Sequence, residues 1–381
     1  MVQLLSLTSS VATLLLLSFG FNEVVAGKTC TVAKSSSDDA ITIAQAFNSC
    51  KNGGTVYFPK GKTYYMKSLV SVKGLKNVNI NLGGEIVLPT YNSKFKGKSS
   101  WIEIQGNNIH MTGGGHITGN GQAWYDKQDH TAPTVLRIKA TNSVFGDFKI
   151  YNAPRAHMAI TSSNNVVLQN VYLKTASTSS KPAKNTDALD VSSSSNIVFQ
   201  NSELNVGDDC TAINGGVSNI TLKHITCNGG HGFSVGSLGK GGKTEYVKTV
   251  RVLNSVCNNC QNGVRIKTWP GGKGSVSDVV YKRVELNNVE HPIIITTHYC
   301  DKNQMSYCTK NKDSSLSISH VSFQHISGSA STKHPAVEVD CSSKSKCSNI
   351  NFKDVNIKKN SKTQKNICNN VVGSNKLSVC H

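Results

Sequence analysis

The sequence predicts an all-β chain wound as a single-domain parallel β-helix, with one short helix near its start. Three observations predict it. Helix signals are scarce beyond Ala40-Ile41-Thr42-Ile43-Ala44-Gln45-Ala46-Phe47, and β-branched alternation dominates the remainder. One phrase then recurs: Asn77-Val78-Asn79-Ile80, Asn108-Ile109-His110-Met111, Asn165-Val166-Val167-Leu168, Asn196-Ile197-Val198-Phe199, Asn219-Ile220-Thr221-Leu222 and Asn349-Ile350-Asn351-Phe352. Thr249-Val250-Arg251-Val252 and Asp278-Val279-Val280-Tyr281 are weaker copies. A spacing of roughly 22 to 37 residues is that of stacked coils.

Two short strands per copy, separated by Asn, Ser and Gly turns, bury their inner faces only by stacking on the next coil. An antiparallel sandwich would show hairpin turns in place of recurrence at a fixed phase. No linker divides the chain, so residues 27–381 read as one domain whose helix over residues 40–50 caps the N-terminal end of the core.

Ahead of that domain, residues 1–26 read as a signal peptide. Leu4 to Phe21 contains Val-Ala-Thr-Leu-Leu-Leu-Leu, and Val24-Val25-Ala26 supplies small residues for cleavage, which places the mature start near Gly27. Met1-Val2-Gln3 lacks the basic residue usual there. No other apolar run approaches the ~18–20 residues of a spanning helix, so no membrane contact is expected. Twelve cysteines, from Cys30 to Cys380, also fit a secreted, oxidised protein.

Composition narrows the partners. A chain of 381 residues with 38% hydrophobic content has material for a large core, which excludes disorder. Lys and Arg number 41 against 22 Asp and Glu, a net charge of +19; losing Glu23 with residues 1–26 makes it 41 minus 21, or +20. A polyanionic partner follows. Nucleic acid is not expected, because Lys is scattered and no aromatic platform interleaves with it.

The chemistry concentrates in residues 185–269. Asn185-Thr186-Asp187-Ala188-Leu189-Asp190-Val191, Gly207-Asp208-Asp209-Cys210-Thr211-Ala212-Ile213 and Gly230-His231-Gly232-Phe233-Ser234-Val235 align by their apolar pattern. The alignment puts Asp187, Asp209 and His231 at one position of successive coils, with Asp208 beside them. Parallel strands lie ~4.8 Å apart, so the Asp187 and Asp209 carboxylates would reach one water. The next coil carries Arg265 and Lys267, which share a face by the two-residue period of a strand. Three carboxylates, a histidine and two cations in a groove suit hydrolysis of an acidic polysaccharide. One carboxylic acid protonates the leaving oxygen and a carboxylate acts on the other side of the sugar. Crowding of like charges keeps one proton in such a trio. The cations would hold the sugar carboxylate.

The Asn-Thr-Asp, Gly-Asp-Asp, Gly-His-Gly and Arg-Ile-Lys elements, in this order and spacing, resemble those of the pectin-degrading polygalacturonases. The resemblance covers the mature chain and implies a secreted, inverting glycosidase built as a right-handed β-helix. It implies Asp208 as general acid, Asp187 and Asp209 as the groups that activate water, and His231 as the residue that tunes the acid. It also implies that Arg265 and Lys267 bind the galacturonate carboxylate and that Tyr299 contacts the sugar. The Thr-Thr-His-Tyr-Cys run with a second nearby cysteine is similar to end-acting fungal members. Two segments would wall off one end of the groove, Ser177–Lys184 and Asp301–Tyr307. Expected disulfides join near neighbours: Cys30 with Cys50, Cys210 with Cys227, Cys257 with Cys260, Cys300 with Cys308, Cys341 with Cys347, and Cys368 with Cys380.

The remaining features have plainer readings. Asp208-Asp209 lacks the spaced oxygen ligands of a Ca²⁺ site, and Cys257-Asn-Asn-Cys260 lacks the second pair of a zinc site, so no metal or cofactor is expected. Asp190 is read as a cap of turn amides. His157, taken as one coil before Asp187 in a similar phase, is either a substrate contact or turn packing. Asn219-Ile220-Thr221 is a glycosylation sequon. A pectate lyase or a noncatalytic polysaccharide-binding solenoid would not need the Asp trio. Polygalacturonate is the expected partner, and the protein is expected to act as a monomer.

Overall fold

The computed structural model describes residues 27–381; the expected signal peptide lies outside the described residues. Every strand pairing among them is parallel, and the chain winds as a right-handed β-helix. The Asp39–Cys50 helix sits at its N-terminal end, started by the Asp38 side chain, which accepts from the Ala40 N–H at 3.0 Å. Its Ala40, Ile43 and Phe47 are buried, and the Phe47 ring lies 6.4 Å from that of Phe58 in the first coils.

Two short strands per repeat were expected from the sequence. The structure instead pairs one short strand with one long one: Leu189–Ser192 with Ser195–Asn205, Thr211–Ile213 with Val217–Asn228, Phe233–Leu238 with Thr244–Asn258, and Asn262–Thr268 with Lys273–Val289. The long strands turn corners where a residue adopts the left-handed conformation. The recurring phrase marks the first corner, at Asn165, Asn196, Asn219, Thr249 and Asp278, and a second follows at Asn170, Asn201, His224, Asn254 and Arg283. Asn and Asp tolerate this conformation best among non-glycine residues, because their short polar side chains bond locally. Stacked coils turn these corners into ladders. Asn108 Nδ2 donates to Asn77 Oδ1 at 2.8 Å, and Asn165 Nδ2 donates to Asn142 Oδ1 at 2.9 Å. Asn219 continues the series, exposed on an outer corner with its Nδ2 donating to Asn196 Oδ1 at 2.6 Å.

Between the corners, side chains alternate in and out. Ile197, Ile220, Val250, Val279 and Val321 form one buried row, and Phe199, Leu222, Val252, Tyr281 and Phe323 a second. Each contributes ~1.5–3 kcal/mol by leaving water. Tyr281, Phe323 and Phe352 stack at centroid distances of 5.4 and 4.9 Å. The six disulfides join the pairs expected from sequence.

Candidate active site

The short strands form one sheet, and the turns that enter them carry the acidic cluster. Register places Asp190 opposite Ala212, Ala212 opposite Ser234, and Ser234 opposite Arg265. Two residues before Leu189, Thr211 and Phe233, the entering turns place Asp187, Asp209 and His231 in one line across three coils. Backbone bonds hold the line: Ala188 N–H donates to the Asp209 carbonyl at 2.9 Å, and His231 N–H to that of Asp208 at 2.8 Å. Gly232, at φ 78°, lets the chain leave His231 against the next coil; a Cβ there would collide with the Asn262 and Gly263 carbonyls.

Asp209 is the most enclosed member, at 2% exposure. Its Oδ1 accepts from Arg265 Nη2 at 2.6 Å and from the Ser234 hydroxyl at 3.0 Å, and its Oδ2 from Lys267 Nζ at 2.8 Å. Arg265 Nε also donates to Ser234 Oγ at 3.1 Å. The alternation that puts Arg265 and Lys267 on one face thus aims both at a single carboxylate. Ser234 escaped the sequence reading, although its place opposite Arg265 was implied by the Phe233/Val235 alignment.

Asp208 turns the other way. Its Oδ1 lies 3.0 Å from His231 Nδ1 and accepts the Asp209 N–H at 2.9 Å, while its Oδ2 accepts the Asn185 N–H at 3.0 Å. Burial pushes this carboxyl up, but the His231 contact and the two amides outweigh it and hold it down at about 2. Asp187 behaves oppositely. Burial and the charges of Asp190, Asp208 and Asp209 raise it well above the ordinary range, against Lys267. Within the trio, burial and like charges hold Asp187 toward the protonated form, and its hydrogen bonds hold Asp208 toward the ionised one. One oxygen each of Asp208 and Asp209 and a ring nitrogen of His231 lie within 4.8 Å of one another.

Tyr299 stands on the far side of the cations, its ring 5.2 Å from Lys267 Nζ and edge-on to Trp269 at 5.8 Å. The segment after it is tied by Cys300–Cys308 and includes the Met305–Lys310 helix; Lys240 Nζ donates to Asp301 Oδ2 at 2.6 Å. Ser177–Lys184 is fastened toward the other end of the solenoid, onto the Gln122–Asp126 helix. Thr178 N–H donates to Gln122 Oε1 at 2.9 Å and Ser179 Oγ to Asp126 Oδ1 at 2.7 Å.

Two sequence expectations need correction. His157 is not a substrate contact: it is 0% exposed, with Nδ1 3.0 Å from the Asp187 carbonyl and Nε2 2.8 Å from Thr175 Oγ1. Met158 opposes Leu189, so Ala156, not His157, shares the Asp187 position. A one-residue slip sends the side chain to the other face. Burial lowers its basicity to about 4, and the ring packs as a neutral turn brace beneath Asp187.

Asp190 caps no turn amide either. It occupies the outward row of the site sheet and makes no hydrogen bond among the described residues. Burial raises it to about 6, with Asp209 and Asp208 adding to the rise and Arg155 and Arg137 opposing it. A free aspartate titrates near about 3.9. Between those values the folded chain holds more protons than the unfolded, so stability falls as pH rises through the window. Asp190→Asn is expected to raise the melting temperature above about pH 7 and to leave it nearly unchanged below about pH 4, which calorimetry at the two pH values checks.

Comparison with known proteins places these elements in company. The family model for glycosyl hydrolases family 28 matches residues 41–379. Exopolygalacturonase rpg13 of Rhizopus delemar is 56% identical over 382 residues, covering 100% of this chain and 99% of that protein. An exopolygalacturonase of Cochliobolus carbonum is 34% identical over 366 residues, covering 88% and 82%. Among solved structures, an endo-xylogalacturonan hydrolase from Aspergillus tubingensis superimposes with a TM-score of 0.83 at 27% identity, over 90% of this chain and 96% of that one.

Proposed function

The chain belongs to glycosyl hydrolases family 28, and from that premise we propose that it is a secreted, monomeric exopolygalacturonase that removes galacturonate from the non-reducing end of polygalacturonate with inversion. The observation that carries the hydrolase is the cluster of Asp208 and Asp209 beside His231, Arg265 and Lys267, with Asp187 close enough to feel the charges of both carboxylates. End-action is supported by the full-length similarity to proteins named exopolygalacturonases and by the anchored Ser177–Lys184 wall. No helix among the described residues is long and apolar enough to cross a membrane.

In the proposed reaction Asp208 protonates the glycosidic oxygen as the bond to the anomeric carbon breaks, and the bonding pair leaves with that oxygen. The proton reaches Asp208 through its contact with His231, whose Nδ1 lies 3.0 Å from the Asp208 Oδ1. Water attacks the opposite face and loses its proton to the Asp187–Asp209 side. Asp209, held by two cations and a hydroxyl, remains an acceptor throughout. Asp187 gives up its own proton to solvent before it accepts one from the water, a loss that the nearby Lys267 ammonium favours. Tyr299 closes the carboxylate site beside Lys267.

A second assignment has a physical argument behind it: burial and its acidic neighbours hold Asp187 toward the protonated form, which suits it to the acid role. Removing the need for leaving-group protonation separates the two. End-action itself is tested by viscosity. Polygalacturonate is expected to keep most of its viscosity while monomer accumulates; halving of viscosity after a small fraction of bonds is cut, with oligomers as products, would make the enzyme an internal cutter.

A further inference from the structure

The outward row of the site sheet sets small residues between charged ones. In register it runs Glu103, Arg137, Ala159, Asp190, Ala212, Ser234, Arg265. Ala212 and Ser234 make a low floor between Asp190 and Arg265, and Ala159 makes another between Asp190 and Arg137. Each floor ends at an arginine. The two arginines differ in what they meet.

Arg265 is matched by Asp209 at 2.6 Å. Arg137 has no such partner, because Glu103, its neighbour in the row, is engaged by Lys139 at 2.9 Å and by the Ser71 hydroxyl at 3.3 Å. Arg137 Nη1 donates to Thr161 Oγ1 at 2.9 Å, Nη2 reaches the Ser99 carbonyl at 3.4 Å, and its Nε is buried without a partner among the described residues. Arg155 joins it from the turn that enters the Met158–Thr161 strand, beside Ala156, which aligns with Asp187. The Arg155 side chain makes no ion pair among the described residues, and its charge acts on both Arg137 and Asp190. A partly buried guanidinium pair without a carboxylate is costly unless an anion arrives to match it. The one acid between them, Asp190, holds its proton up to about 6 and so leaves the charge uncovered in mild acid.

We propose that Arg137 and Arg155 form a second carboxylate site, on the N-terminal side of the acid trio, which takes the carboxylate of the galacturonate being released. The inference rests on the exopolygalacturonase reading above. Both sugars at the cleaved bond carry a carboxylate, and Arg265 with Lys267 supplies a site for only one of them. The Ser177–Lys184 segment, fastened onto the Gln122–Asp126 helix, stands on the same side, so the sugar seated over Ala159 is a chain end.

The test compares trigalacturonate with an analogue whose non-reducing terminal carboxylate is reduced to the alcohol, measuring kcat/KM for monomer release. Wild type is expected to favour trigalacturonate roughly 10- to 100-fold, the worth of a charge-assisted contact. Arg155→Ala and Arg137→Lys should lose most of that preference while cutting the analogue at close to the wild-type rate. Equal cleavage of both substrates by wild type overturns the site. So does a loss in the variants that is the same for both substrates, since it would mark the arginines as merely structural. If wild type releases no monomer from trigalacturonate, the end-acting reading fails, and the inference with it.

Discussion

Asp208→Asn is expected to slow turnover of polygalacturonate about 10²–10⁴-fold, the range for loss of a general acid. An amide cannot protonate the leaving oxygen, and it accepts at only one of the two oxygens that now receive the Asn185 and Asp209 amides and the His231 ring. The fold should survive with a small loss of stability, because the site lies on turns outside the buried rows. The decisive substrate is an α-galacturonide with a dinitrophenolate leaving group, which departs without a proton. On it Asp208→Asn should work within about tenfold of wild type, whereas Asp187→Asn should remain inactive. The reverse pattern would transfer the acid role to Asp187, the carboxyl that burial and its acidic neighbours push toward the protonated form.

Lys267→Met is expected to remove about 3–5 kcal/mol of stability, the usual cost of breaking a buried ion pair from one side. Lys267 and Asp209 have side-chain exposures of only 8% and 3%, so water cannot replace the lost ammonium. Arg265 remains, and its 2.6 Å bond to Oδ1 leaves Oδ2 as the unmatched oxygen. Lys267→Arg should recover part of the loss by restoring a cation. Denaturant titration reads both variants, and a loss below about 1 kcal/mol for Lys267→Met would show that the pair contributes little.

Much of this was legible in the sequence for a physical reason. The recurring Asn phrase is the residue that turns each corner in the left-handed conformation, so the repeat in sequence and the repeat in space have one cause. The line of Asp187, Asp209 and His231 was visible because two successive coils have the same length, 22 residues from each to the next. Where coil length or turn phase changes, position in sequence no longer tells position on the coil. His157 lies one residue out of the phase its spacing suggests, so its side chain faces the core and not the cleft. Asp190 reads as a turn cap from its distance of three residues past Asp187, whereas it lies inside the Leu189–Ser192 strand on the outward row. Arg137 and Arg155 carry no motif, and only the register that stacks Arg137 on Ala159 brings them to the same end of the cleft. The approach of Arg265 and Lys267 to Asp209, 56 and 58 residues away in sequence, likewise depends on coils of unequal length.

Inverting hydrolysis from a chain end is tested by proton NMR of trigalacturonate during the first minutes of digestion. Inversion requires an acid and base far enough apart to admit water, ~6.5–9.5 Å, where a retaining pair sits ~5–5.5 Å apart. The first new signal should be the anomeric proton of free β-galacturonate, with the α form appearing later by mutarotation. Initial α-galacturonate, or an unsaturated product without incorporation of water, would contradict the account.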